Sequence, residues 1–233
     1  MLSRAAILAV ALIVISVFSG CISDDSQGSE KETPEVLLWP SIDQARLGET
    51  VSFTGFGIGF DNSTLQFYWN FGDGATGTEA IANHKFLSPG VFNVSVEAHD
   101  ANGTYARAYR NFVAYFYDEF QDEIFAGNKS YFYNVSESSK MVVFQVISSE
   151  ETKLNGSSIS FIGGLGKNVV PTGAKFVELA DGRYAKKISV KSETGFPAGN
   201  WEFRINSSEA FSFTVKIAIY PTTYTAPPCC ANG

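Results

Sequence analysis

Three features of the sequence predict an all-β chain built as two consecutive β-sandwiches. Apolar and polar residues alternate with period two through most of the chain. Turn signals interrupt that alternation at short intervals. No stretch after residue 35 holds a convincing helical period.

The alternation is plain in four places. Leu65, Phe67, Trp69 and Phe71 alternate with Gln66, Tyr68 and Asn70. Phe92, Val94, Val96 and Ala98 alternate with Asn93, Ser95 and Glu97. Trp201, Phe203 and Ile205 alternate with Glu202, Arg204 and Asn206, and Phe213, Val215, Ile217 and Ile219 with Thr214, Lys216 and Ala218. One apolar face at period two marks half-buried antiparallel strands. The breaks fall at Gly72-Asp73-Gly74, Ser88-Pro89-Gly90, Asn102-Gly103, Asp181-Gly182 and Pro197-Ala198-Gly199. The run Asp118-Glu119-Phe120-Gln121-Asp122-Glu123 sets four carboxylates in six residues. Such a run repels itself and resists burial, so it is expected as the junction between the two bodies.

Composition narrows the function classes. The 233 residues carry a net charge of −7, which leaves no Lys/Arg stripe for a nucleic acid. Hydrophobic residues make up 45% and charged residues 18%, an ordinary balance for a folded chain. Two His and three Cys are little material for a metal-centred or thiol enzyme.

The amino terminus reads as an address. Met1 to Arg4 form a short positively charged start, Ala5 to Phe18 are apolar apart from Ser16, and Phe18-Ser19-Gly20-Cys21 follows. An apolar run of this length is short of the roughly 20 residues that span a bilayer and fits an export signal. The small residues before Cys21 resemble the lipobox of prokaryotic lipoproteins, with Phe18 where Leu is usual. The resemblance implies lipid on Cys21 and an anchor in the membrane. Cleavage with release, and an uncleaved anchor, stay open. Ser23 to Pro34 is polar and charged and reads as a tether, about 20 Å end to end by random-coil scaling. The expected organisation is a signal over 1–20, a tether over 21–35, sandwiches over 36–117 and 124–221 flanking the junction 118–123, and a disordered tail over 222–233. Cys229 and Cys230 lie in that tail, and adjacent cysteines have poor geometry for a disulfide.

Asn-x-Ser/Thr occurs at Asn62, Asn93, Asn102, Asn128, Asn134, Asn155 and Asn206. Chance would give about two, so the excess points to a glycosylated outer surface. A lipobox with many sequons resembles an archaeal surface protein more than a bacterial one.

Residues 36–117 carry several motifs in register. Tyr68-Trp69-Asn70-Phe71-Gly72-Asp73-Gly74 is followed by His84-Lys85-Phe86, by Pro89-Gly90-Val91-Phe92-Asn93-Val94 and by Asp100-Ala101-Asn102-Gly103. This series resembles the signature of polycystic kidney disease (PKD) domains, with Asn70 where Asp is more usual. The resemblance implies an immunoglobulin-like sandwich of an extracellular kind, used in adhesion, spacing or as an accessory to secreted hydrolases. Trp69 is expected inside, between the sheets. Asp73 is expected to brace its turn through backbone N–H groups, with Gly72 and Gly74 at positive φ. His84 and His99 fit structural positions.

In the second half, strands are expected over 140–147, 158–162, 174–179, 184–191, 201–205 and 211–220. Pro197-Ala198-Gly199-Asn200-Trp201, then a Ser-Ser-Glu turn and Phe211 to Val215, resembles the end of a pre-peptidase C-terminal domain, which implies a jelly roll.

No metalloprotease, Walker, nucleophile-elbow or dinucleotide motif is present. Gly163-Gly164-Leu165-Gly166 has no helix pattern after it and reads as a loop. No catalytic residue and no cofactor is assigned. Calcium has weak oxygen candidates in Asp61 with Asn62, in Asp100 with Asn102, and in Asp118, Glu119, Asp122 and Glu123, none with the spacing of a dedicated loop. Gly55-Phe56-Gly57-Ile58-Gly59-Phe60 is expected as a loop whose Phe56, Ile58 and Phe60 either pack or bind. The function expected is non-catalytic: a lipid-anchored surface module that binds or spaces, touching surface proteins or carbohydrate. The alternative is an accessory lipoprotein that presents substrate or a partner to a secreted hydrolase.

Overall fold

A computed structural model describes residues 33–163 and 174–223. Cys21, Cys229, Cys230 and most of the Gly163–Gly166 segment lie outside the described residues. The described chain is nearly all strand. Among the described residues no helix is long and apolar enough to cross a membrane.

The first body pairs two sheets. One joins β1 (Glu35–Pro40), β3 (Val51–Ile58) and β6 (Ile81–His84) in the order β1-β3-β6. The other runs β5 (Thr76–Gly77), β4 (Gln66–Asn70), β7 (Gly90–His99) and then the first half of β8 (Tyr105–Ile124). A short β2 (Gln44–Arg46) lies parallel to β8 at Val113–Tyr115. Between the sheets sit Val36, Leu38, Phe53, Trp69, Phe71, Phe86, Val94, Val96 and Phe112. Phe53 is the hub, with Trp69, Phe71, Phe86 and Phe112 rings 5.2–6.4 Å from its own. Trp69 is 2% exposed and donates its indole N–H to the Glu79 carbonyl at 2.7 Å. Truncating a buried aromatic of this kind costs about 3–5 kcal/mol.

The second body uses the rest of β8, β9 (Gly127–Val135), β10 (Met141–Ser148), β11 (Ser158–Ile162), β12 (Lys175–Glu178), β13 (Tyr184–Lys191), β14 (Gly199–Ser207) and β15 (Phe211–Tyr220). β8 pairs with β15, β9 with β14 and β10 with β13, as in a long hairpin folded back on itself. Rolling that ribbon adds the β10–β15 and β11–β14 pairs. The result is a jelly-roll-like sandwich of a five-strand layer, β12-β13-β10-β15-β8, on a three-strand layer, β11-β14-β9. Phe144, Phe161, Trp201, Phe203 and Val215 fill its core. All eight residues of β10 are buried, because the strand is central and both its faces are covered.

Four expectations need correction. A short helix, α1 (Glu151–Gly156), stands where no helix was expected; Leu154 anchors it and Lys186 Nζ reaches the carbonyls of Leu154, Asn155 and Ser157 at its end. β9 was not foreseen, since Tyr131, Phe132 and Tyr133 put aromatics on both its faces. Gly55 to Ile58 is strand rather than loop. The acidic run 118–123 is also strand, the middle of the second half of β8 paired with β15. The pleat divides its carboxylates between two faces, with Asp118 and Asp122 half-buried and Glu119 and Glu123 exposed. The change of core comes earlier on β8, since Ala114 belongs to the first core and Phe116 to the second.

Candidate functional site

The outward face of β4, β7 and β8 in the first body gathers aromatic and polar side chains. Its rows follow from the register: Gln66–His99–Tyr105, Tyr68–Glu97–Arg107 and Asn70–Ser95–Tyr109. Tyr68, Tyr105 and Tyr109 are all exposed. Behind them, Ala98, Ala106 and Ala108 turn small side chains to the core. β4 and β8 stand two strand spacings apart, about 9–10 Å, with Tyr105 and Tyr109 two residues to either side of the Tyr68 row. Between Tyr68 and Tyr109 lies a groove of about 740 Å³, lined also by Asn70, Ser95, Glu97 and Arg107.

The groove is held by its own bonds. Arg107 pairs with Glu97 and donates to the Tyr109 hydroxyl at 2.8 Å. Its guanidinium lies 5.7 Å from the Tyr109 ring and 6.0 Å from that of Tyr105. Glu97 also meets His99 at 3.3 Å. The His99 ring meets Tyr68 edge-on at 5.3 Å and Tyr105 at 4.8 Å. Tyr68 donates its hydroxyl to Gln66 at 2.8 Å. Aromatic faces and fixed donors and acceptors therefore sit side by side on a rigid sheet. That pairing suits a ligand with an apolar ring face and a rim of hydroxyls.

Of the signature residues, Trp69 and Gly72 also line this groove. Asp73 accepts the Ala75 N–H at 3.1 Å and meets His84 Nε2 at 2.7 Å. Burial would raise the Asp73 carboxyl, but the Ala75 and His84 contacts outweigh it and hold the group below the usual range. Asp73 thus has an acid–base neighbour that the motif alone does not suggest. His84, however, is stacked on Phe71 at 4.2 Å and faces Phe86 edge-on at 4.6 Å, so the pair ties the Gly72–Gly74 turn to the end of β6. Asn70 accepts the Gly72 N–H at 2.8 Å, a bond an amide oxygen makes as well as a carboxylate. Gly72 has φ 82°, and a Cβ there would meet the Asn93 backbone at 3.0 Å. Gly74 and Gly103 also have positive φ, and a Cβ on Gly90 would press on the Phe92 ring. Pro89 is exposed just before β7.

The oxygen candidates for calcium are occupied by donors. Asp100 takes the N–H groups of Asp61, Asn102 and Thr104 at 3.1, 3.0 and 2.8 Å. Asp61 takes the N–H and hydroxyl of Ser63. Asp118 accepts from Tyr133 at 2.9 Å, and Asp122 from Tyr131 at 2.9 Å and Lys129 at 2.5 Å. Burial and Asp122 raise the Tyr131 phenol, and burial and Asp118 raise that of Tyr133, so both stay protonated donors. Glu119 pairs with Tyr117 and Lys216. Among the described residues no three His, Cys, Asp or Glu come together as a metal site.

The apolar trio separates. Phe56 is exposed on β3, Ile58 is half-buried on the same outward side, and Phe60 packs against the first core. All seven sequon asparagines are exposed. Asn128, Asn134 and Asn206 share the outward face of β9 and β14, where Asn206 donates to Asn128 at 2.6 Å. Asn62, Asn102 and Asn155 lie off the strands. Asn93 sits on the groove floor.

Residues 37–113 match the PKD domain. Solved structures give fainter likenesses. One, of carbohydrate-binding modules from the β-sandwich superfamily, is 13% identical over 82% of this chain and 98% of that one, with a TM-score of 0.39. The PKD1 domain of Vibrio anguillarum Epp is 21% identical over 36% and 96%, TM-score 0.31. The PKD domain of human SorCS2 is 21% identical over 42% and 94%, TM-score 0.30. At such values they describe a distant likeness of shape and nothing of ligand. No curated protein matches the chain.

The alternation set Tyr68 on the polar side of its strand, but Glu97, Tyr105, Arg107 and Tyr109 were not singled out as a site. A signal was present. Tyr105-Ala106-Arg107-Ala108-Tyr109 turns alanines inward and large side chains outward, the inverse of an ordinary surface strand.

Proposed function

We propose that this chain is a non-catalytic binding module, held at the outer face of a membrane through Cys21, whose β4–β7–β8 groove takes carbohydrate. The observation that carries this reading is the pair of exposed tyrosines Tyr68 and Tyr109 lining a polar groove on the PKD-type sandwich, with exposed Tyr105 on the same sheet face. A sugar ring would stack its C–H face on a tyrosine while its hydroxyls meet Glu97, Arg107, Ser95 and Asn70. Acid–base chemistry has poor material here. Glu97 is tied to Arg107 and His99, and His84 is wedged between Phe71 and Phe86. A glycan on Asn93 would fill the groove, so Asn93 is expected to be unmodified, whereas Asn128, Asn134 and Asn206 would carry any coat away from it.

The test is a glycan array spanning β-glucans, chitin oligosaccharides, mannans and uronic-acid polymers, probed with the detergent-solubilised full chain. Selective retention is expected. Tyr68→Ala and Tyr109→Ala are each expected to weaken the retained glycan by at least tenfold, about 1.4 kcal/mol, with the melting midpoint nearly unchanged. No retention anywhere, or retention indifferent to both substitutions, overturns the reading and leaves a spacer.

A further inference from the structure

The first body has a second outward face, and it is built differently. On the β1–β3–β6 sheet the outward positions include Leu37, Trp39, Thr54, Phe56, Ile58 and Ile81. The register places Leu37 beside Phe56 and runs Trp39–Thr54–Ile81 across all three strands. Trp39 is 54% exposed, Phe56 56% and Ile81 57%. The rim is neutral where Ser52 donates to Asn83, and the one charge among the outward strand positions is Glu35, at the end of β1. A continuous apolar strip of this kind marks a contact surface.

The chain itself says what covers it. Glu35 opens β1, directly after the polar stretch Ser23–Pro34 and the apolar run Ala5–Phe18 with Cys21. A dozen polar residues, about 20 Å as a random coil, separate β1 in sequence from Cys21, the residue read as the lipid anchor. A half-exposed Trp with an apolar body and one N–H suits the headgroup boundary. We infer that the β1–β3–β6 face rests on the lipid surface, with Trp39, Phe56 and Ile81 at the boundary between headgroups and acyl chains. The two sheets sandwich one core, so the tyrosine groove on β4–β7–β8 then faces away from the membrane. This inference rests on the reading that the amino terminus anchors the chain.

Trp39 is its own reporter, because Trp69 is 2% and Trp201 1% exposed. The full chain is reconstituted into phosphatidylcholine vesicles with and without acyl-brominated phosphatidylcholine, beside Trp39→Phe. Flotation is checked first. The expected result is loss of most of the emission assigned to Trp39 in brominated vesicles, no change in the Trp39→Phe background, and recovery of that emission in a Phe56→Ser, Ile81→Ser double variant. A wild-type chain that fails to float refutes the anchor and the inference with it. A chain that floats, with Trp39 quenched by aqueous acrylamide but not by brominated lipid, overturns the inference alone and leaves the anchor standing. Trp39 shielded from both quenchers, with doubled particle mass in detergent, overturns it in favour of a second copy.

Discussion

Burial alone would raise the Asp73 carboxyl, yet the Ala75 N–H and the His84 ring hold it low. Asp100 and Asp122 are depressed in the same way, by backbone N–H groups and by Lys129 and neighbours respectively, again against desolvation. A carboxyl whose folded pKa lies below its unfolded value of about 3.9 stabilises the fold above that value. The contribution is lost as pH falls through the folded pKa. Stability is therefore expected to drop between about pH 5 and pH 2. Asp73→Asn is expected to lower the melting midpoint at neutral pH and to flatten part of that acid drop, read by thermal melts across the range. A curve merely displaced, with its acid slope intact, would show that Asp73 charge adds nothing. The turn role of Asp73 was legible, because the aspartate and its flanking glycines are local in sequence. Its partner was not, because His84 lies 11 residues on and arrives only when β5 and β6 fold back.

Elements show where local reading stops. Gly55-Phe56-Gly57-Ile58 looks like a loop because glycine weakens strands. In β3 the missing side chains make room: a Cβ on Gly55 would lie 2.9 Å from the Phe67 ring and 3.2 Å from Trp69, and one on Gly57 would lie 2.8 Å from Leu65. Gly55→Ala is expected to cost about 1–3 kcal/mol by overpacking. At about 2–4 °C per kcal/mol for a chain of this size, the midpoint falls by several degrees. An unchanged midpoint would mean the Phe67 ring simply turns aside. The acidic run misleads for a related reason. Charge density along the chain suggests a junction, but the pleat separates the carboxylates, and Lys129, Tyr131 and Tyr133 reach them from the next strand, β9, and Lys216 from the distant β15. The groove was half legible. Alternation placed Tyr68 on the outward side, but only the β7–β8 register sets Tyr109 opposite Ser95 and Arg107 opposite Glu97.

At the scale of the molecule, the two sandwiches share β8, whose 20 residues run from one core into the other. Phe112 and Ala114 belong to the first core, and Phe116, Phe120 and Ile124 to the second. Between these, Tyr115 turns to the opposite side and joins Met141, Val143, Ala218 and Tyr220 in a third buried cluster, with Tyr117 at its margin. The Tyr115 and Tyr220 rings stack at 4.4 Å, and the Arg46 guanidinium lies 3.7 Å from the Tyr117 ring. Neighbouring bodies in a chain move freely unless the surface between them is large and apolar. Here a continuous strand and a buried aromatic cluster oppose such motion. The described body is therefore expected to unfold in one calorimetric transition whose van't Hoff and calorimetric enthalpies agree. Tyr220→Ala removes a fully buried ring from the third cluster and neither main core, at a cost of about 3–5 kcal/mol if it behaves as other buried aromatics do. It is expected to split the transition in two, the second sandwich melting first because β15 belongs to it. A single transition that only moves to lower temperature would show that β8 alone couples the two bodies, and that the tyrosine stack adds stability without adding cooperativity.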